Sequence, residues 1–194
     1  PISETFGPIN AVDEAIPIFL NAYQYDLAIS GVGGADGDID EIVIQLSEAI
    51  DISTFETSDF TLGSGTITAF YNHVSNSADI DNSLDVDDND SYYTLEVSTT
   101  TTADVTVDYE QSSAVDLADA AGNLVVDASL TTVDEALPVF LNAYYYDTDG
   151  NGNIDEITIQ FSEPVVETTV ESNDFTLTNG SVTSTATHGG SGGI

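Results

Sequence analysis

The chain has 194 residues, with 35 Asp plus Glu, two His and no Lys or Arg, for a formal net charge of −35. The lack of any base to neutralise phosphate argues against nucleic acid and anionic lipid as partners, and no stretch reaches the roughly 20 apolar residues of a membrane-spanning helix. Yet 41% of residues are hydrophobic, and they fall in alternating runs that disordered acidic tails lack.

The chain is therefore expected to fold, with cations from solution offsetting the self-repulsion of its carboxylates. There is no Cys, so no disulfide contributes. Lys–Asn isopeptide cross-links are impossible without Lys. Bound metal is the remaining obvious staple. No signal peptide is visible, so a secreted protein would be represented here by a mature or excised piece.

In chain order, residues 1–11 read as an N-terminal extension or linker. From residue 12 the sequence repeats itself. Val12-Asp-Glu-Ala-Ile-Pro-Ile-Phe-Leu-Asn-Ala-Tyr-Gln-Tyr-Asp26 matches Val133-Asp-Glu-Ala-Leu-Pro-Val-Phe-Leu-Asn-Ala-Tyr-Tyr-Tyr-Asp147, 121 positions on. After an insertion around Leu27–Ala35 the offset is 115, and Gly37–Glu48 matches Gly152–Glu163. Asp59-Phe-Thr-Leu62 then matches Asp174-Phe-Thr-Leu177, and His73 matches His188. Repeat 1 spans 12–131. Repeat 2 spans 132–194 and holds only the front half, without a counterpart of Val74–Leu130.

Period-two alternation predicts strands with one buried face. It is seen at Ile42, Ile44 and Leu46, at Phe60 and Leu62, at Ile67 and Ala69, at Leu95 and Val97, at Val105, Val107 and Tyr109, and again at Ile157, Ile159 and Phe161. Turn residues separate them at Gly31–Gly37, Gly63–Gly65 and Ala121–Asn123. Asp116–Ala121 is compatible with a short helical turn. The expected fold class is all-β, with tandem sandwich domains, the second incomplete.

Certain motifs carry a family resemblance. Each repeat has a Pro near its first strand, an Asp/Gly loop, an Ile-x-Ile-x-(Leu/Phe)-Ser-Glu strand and an Asp-Phe-Thr-Leu strand. Repeat 1 adds Leu117-Ala-Asp-Ala-Ala-Gly-Asn-Leu124. This pattern resembles the bacterial Ig-like domains found in tandem in S-layer proteins and large surface adhesins. The resemblance implies an Ig-like β-sandwich, an extracellular or cell-surface location, a structural role and no catalysis.

Asp147-Thr-Asp-Gly-Asn-Gly-Asn-Ile-Asp155 has the ligand spacing of an EF-hand loop. Asp147, Asp149, Asn151 and Asp155 would supply side-chain oxygens, and Asn153 its carbonyl. Gly152 would make the sharp turn and Ile154 would anchor the loop in the core. Position 12 is Thr158, so Glu156 is the candidate replacement carboxylate. The expected ion is Ca²⁺; the competing reading is a hydrated turn. In repeat 1 the insertion displaces Asp26 from Asp36, Asp38 and Asp40, leaving that site lost, weakened or rebuilt. A third acidic cluster, Asp79, Asp81 and Asp85–Asp90, is either a site or a hydrated hairpin loop.

In a seven-stranded sandwich the first inter-strand loop lies beside the exit of the last strand. Asp36, Asp38 and Asp40 are therefore expected near Asp127, Asp134 and Glu135, where Ca²⁺ would stiffen the junction between domains. Expected partners are neighbouring copies or adjacent repeats.

Other sites read weakly. With 35 carboxylates, pairs at glycosidase spacing arise by chance. The two His occupy equivalent positions, which favours a shared structural role. Tyr144–Tyr146 reads as a strand whose aromatics alternate between core and surface, in preference to a sugar platform. Asn89-Asp-Ser91 and Asn179-Gly-Ser181 fit the glycosylation acceptor pattern. Three alternatives stay open: a glycan- or cell-binding adhesion module, a filament subunit completed by a neighbour's strand, and an accessory domain of a secreted hydrolase. Adaptation to general salt would also account for the acidity.

Overall fold

The computed structural model describes residues 12–26, 36–72, 91–99, 103–111 and 115–187. The acidic run from Asp79 to Asp90, both His, the insertion around Leu27–Ala35, residues 1–11 and the acceptor Asn89 lie outside the described residues.

The described chain is β throughout, with only single-turn 3-10 segments besides. No helix among the described residues is long and apolar enough to cross a membrane. Among the described residues repeat 1 contributes seven strands: β1 (Phe19–Tyr25), β2 (Glu41–Leu46), β3 (Phe60–Leu62), β4 (Thr66–Asn72), β5 (Tyr92–Ser98), β6 (Thr106–Tyr109) and β7 (Ala128–Thr131). A two-residue strand β8 (Val133–Asp134) follows, then β9 (Phe140–Tyr146) and β10 (Glu156–Phe161) in repeat 2.

One sheet has the order β4-β5-β2-β1-β8 and a second has the order β3-β6-β7. The two share one hydrophobic core. Ala22, Ile42, Ile44, Leu46, Tyr93, Leu95 and Val97 of the larger sheet meet Phe60, Val107 and Tyr109 of the smaller, with Leu117 and Val125 packed between loops. Gln24 ties the layers together. It is fully buried, and its Oε1 accepts from Val105 N–H at 3.0 Å and Thr132 Oγ1–H at 2.5 Å.

Two β-bulges adjust the period-two pattern. Between Phe19 and Asn21 an extra residue lets both Phe19 and Ala22 face the core. Between Ile67 and Ala69 a second does the same for Ile67 and Phe70, while Ala69 pairs with Glu96. The alternation expected at Ile67 and Ala69 is thus broken, because a bulge sets two residues against one and shifts the face. Val43 is fully buried but lies on the opposite face of β2 from the core cluster, so this central strand is covered on both faces. Asp116–Ala121 forms no helix: Ala118 makes an antiparallel bridge to Leu124 around a turn.

Repeat 2 reproduces the local structure of repeat 1. β9 and β10 pair antiparallel with the same bulge, Phe161 opposite Phe140 as Leu46 is opposite Phe19. Asn21 donates to Gln45 at 2.7 Å, and Asn142 to Gln160 at 3.2 Å. Among the described residues no sheet covers β9–β10. Consequently Tyr144, Tyr145 and Tyr146 are all exposed rather than alternating, and Phe175–Leu177, which matches β3, is not paired as a strand.

Candidate metal-binding carboxylate clusters

Among the described residues, three groups of carboxylates bring ligand atoms within 4.8 Å of one another: Asp26, Asp36 and Asp40; Asp147, Asp149 and Asp155; and Asp13, Glu48 and Asp119. These arrangements are able to hold a metal ion.

The first group lies where β1 ends and β2 begins. The insertion does not remove Asp26 from the loop. Its Oδ2 accepts from Gly37 N–H at 2.7 Å and its Oδ1 from Asp36 N–H at 3.2 Å. Gly37 has φ +99°, a left-handed geometry that favours glycine. Asp40 N–H closes the loop onto Tyr25 O at 3.0 Å. Asp38 is beside the group, with its N–H donating to Asp36, but it is not among the three that converge.

Here negative charge is crowded and half buried. Burial pushes the Asp40 carboxyl up to about 6, helped by the charges of Asp36, Asp26, Asp38 and Glu96. Burial also raises Asp26, against the lowering effect of the N–H groups of Gly37 and Asp36.

The linker and repeat 2 complete this neighbourhood. β8 lies parallel to β1, with Val133 opposite Tyr23 and Asp134 opposite Gln24. A Cβ built on Gly37 would come within 2.7 Å of the Ser162 side chain and 3.6 Å of Leu141, so repeat 2 rests on the loop of repeat 1. Glu163 follows Ser162. Its carboxyl is raised by burial first, then by Asp134, with which it shares a hydrogen bond, and by the charge of Asp26. Asp40 Oδ2 and Glu163 Oε1 are buried without a hydrogen-bond partner. A buried carboxylate oxygen without a donor is costly, and a cation at each would offset that cost.

Two linker expectations change. Asp127 sits at the far end of β7, accepting from Gln111 N–H at 2.9 Å, one strand length from the loop. Glu135 is held through its backbone, donating to Gln24 O at 3.1 Å; neither it nor Asp134 is in the three groups, and Asp134 reaches the neighbourhood through Glu163.

The loop of repeat 2 is wound around its own carboxylates. Asp147 accepts from Gly152 N–H at 2.8 Å and Asn151 N–H at 3.1 Å. Those donors, Gly152 first, hold its carboxyl below the usual range. Asp155 accepts from Thr148 N–H and Oγ1–H, both at 3.1 Å. Gly152 turns the chain at φ +90°, as its position in the motif requires. Asn151 Oδ1 accepts from the backbone and side chain of Asn153. Glu156 lies on β10, accepts from Thr158, and does not join Asp147, Asp149 and Asp155. Ile154 does not anchor the loop: it is 53% exposed, while its counterpart Ile39 is fully buried, because the covering sheet of repeat 1 has no equivalent over β9–β10 among the described residues.

The third group escaped sequence reasoning. Asp119 accepts from Ala121 N–H, Asn123 N–H and Asn123 Nδ2–H, each at 2.8 Å. Burial pushes it up, but these bonds win and lower it. Asn123 reaches Asp13 O at 3.4 Å. Glu48 is raised by burial, then by Asp13 and Asp119. The signal was present in the repeated Val-Asp-Glu-Ala and Ser-Glu motifs: Asp13 and Glu48 are the counterparts of Asp134 and Glu163.

No family model matches the chain, and neither does any curated protein or solved structure.

Proposed function

We propose that this chain is a stretch of tandem Ig-like β-sandwich repeats from an extracellular surface protein, and that calcium bound between repeats makes them a stiff spacer, S-layer unit or filament subunit. It performs no chemistry on a substrate. The Ig-like part is supported by strand order: β1-β2-β5-β4 on one sheet and β3-β6-β7 on the other is the ABED and CFG order of a constant-type Ig domain.

The observation that carries the mechanism is the meeting of three chain segments at one junction. Asp26, Asp36 and Asp40 of repeat 1 converge, and Glu163 of repeat 2, bonded to Asp134 of the linker, feels the charge of Asp26, with no Lys or Arg in the chain to neutralise them. Calcium suits the donor set, since it is a hard cation taking 6–8 oxygens in flexible geometry. It would convert repulsion across the junction into a bridge. The exposed Asp147–Asp155 loop is a second site of the same kind.

The test is the angular freedom between repeats, measured by small-angle scattering with and without calcium. Calcium is expected to narrow the distribution of shapes, and Asp134→Ala to abolish the narrowing. Identical scattering in EGTA and calcium would refute the stiffening role.

A further inference from the structure

The linker leaves repeat 1 by changing sheets. β7, in the smaller sheet, ends at Thr131, and β8, on the edge of the larger, begins at Val133. Thr132 alone makes the crossing and is 4% exposed. Its N–H donates to Val105 O at 2.9 Å, and its hydroxyl lies 2.9 Å from the same carbonyl and 2.5 Å from Gln24 Oε1. Val105 N–H is shared between Gln24 Oε1 at 3.0 Å and Thr132 Oγ1 at 2.8 Å. The backbone of Gln24 adds a second hold. Gln24 stands opposite Asp134 in the β1–β8 register, and its carbonyl accepts from Glu135 N–H at 3.1 Å. One residue of β1 therefore grips the linker on both sides of Asp134.

The hairpin itself does not need a glutamine there. Between Val12–Asp26 and Val133–Asp147 the repeats differ at three positions: Ile16 against Leu137, Ile18 against Val139 and Gln24 against Tyr145. Only the last is a change of chemistry, yet β9 and β10 pair as β1 and β2 do.

The glutamine also destabilises its surroundings. It lies opposite Ile42, a residue of the apolar core. It is fully buried, and its Nε2 has no hydrogen-bond partner among the described residues. Burying an amide donor unmet is unfavourable, and an apolar side chain in its place would avoid that loss. What Gln24 gains is its hold on Thr132 and Val105, and through Thr132 on the linker.

We propose that Gln24 is the positioning residue of the junction. It clamps the linker onto repeat 1 and so sets Asp134 where it meets Glu163 of repeat 2. Gln24 binds no ion. It acts through Asp134, as the outer partners of metal ligands do, by fixing a ligand before the ion arrives. The clamp itself needs no ion, while its effect on affinity rests on the calcium reading above.

The test is amide hydrogen exchange of the whole chain in EGTA, followed by calorimetric titration with calcium chloride. Gln24→Met keeps the volume and removes the acceptor. Thr132→Val removes the hydroxyl, and it decides alone if Gln24→Met does not fold. In either variant exchange at Glu135 N–H is expected to quicken about tenfold, with the amides of β2 and β5 unchanged, since a local opening releases only its own amides. Calcium affinity at the junction should fall about tenfold, as on loss of an outer partner, and that of the Asp147–Asp155 loop should stay the same. Exchange at Glu135 that neither variant alters overturns the clamp. So does faster exchange spread evenly over β2 and β5, the mark of a core role only. Faster exchange at Glu135 with unchanged junction affinity overturns the positioning of Asp134. If the unaltered chain binds no calcium while Glu135 N–H loosens in both variants, the clamp stands and the calcium reading falls.

Discussion

Repeat 1 and repeat 2 carry nearly the same residues through their first two strands, and the same residues meet different fates. Ile39 is fully buried and Ile154 is 53% exposed; Tyr25 is 4% exposed and Tyr146 39%. The hairpin, its bulge, the Asn-to-Gln cross-strand bond and the glycine turn are common to both. Local structure is thus written in the local sequence, whereas burial is conferred by the β3-β6-β7 sheet that only repeat 1 has among the described residues. The loops diverge for the same reason. Burial and crowding raise Asp26 and Asp40, while the open loop of repeat 2 lowers Asp147 through backbone donors.

The largest expected effect tests that difference in burial. Ile39→Ala should cost about 2–5 kcal/mol, the range for emptying a packed site. Ile154→Ala should stay within about 0.5 kcal/mol, as surface changes do. Chemical denaturation of each variant decides; similar losses would mean repeat 2 has a covered core after all.

Removing charge at the junction should act with opposite signs in two conditions. Asp40→Asn with Glu163→Gln relieves repulsion, so Tm in EGTA should rise. The same pair should weaken calcium binding at least about tenfold, roughly 1.4 kcal/mol. Asp149→Asn should weaken only the exposed loop site and leave the junction site intact. Calorimetric titration of each variant separates the two sites.

The pH response sharpens the comparison further. The Asp40 carboxyl ordinarily titrates at 3.8 and is raised to about 6 in the folded chain. Between those values the folded state holds more protons than the unfolded one, so stability falls as pH rises through about 6. In EGTA, acidification from pH 7 to 5 should therefore raise Tm. In saturating calcium the trend should reverse, because protons compete for the ligands. The smallest expected effect is that of Glu135→Ala, whose carboxylate is in none of the clusters and is not among the groups acting on Glu163; calcium affinity should be unchanged, while Asp134→Ala, which removes the partner of Glu163, lowers it.

Much of this was legible in the residues. The repeat, the β class and the turn glycines follow from spacing alone, and so does the convergence of Asp147, Asp149 and Asp155, because all three lie within one tight loop. The rebuilding of the Asp26 site was not legible, since the insertion separates its ligands in sequence and only the hairpin closes them in space. Neither was the grouping of Asp13, Glu48 and Asp119, nor the bond between Glu163 and Asp134, both of which depend on which strand ends lie side by side. The bulge at Thr68 hid behind a period-two pattern that looked regular. Ile154 was misread because sequence identity with Ile39 carries the turn but not the sheet that would cover it.

The most direct test of the central claim is thermal unfolding at fixed ionic strength, first in EGTA, then with increasing calcium, with magnesium as control. Binding to the folded state alone stabilises by about 2.7 kcal/mol at a hundredfold excess over Kd. The account predicts a large rise in Tm at micromolar to millimolar calcium that magnesium does not match. An unchanged Tm, or a rise that any salt reproduces, would contradict it and leave the carboxylate clusters as hydrated turns of a salt-adapted domain.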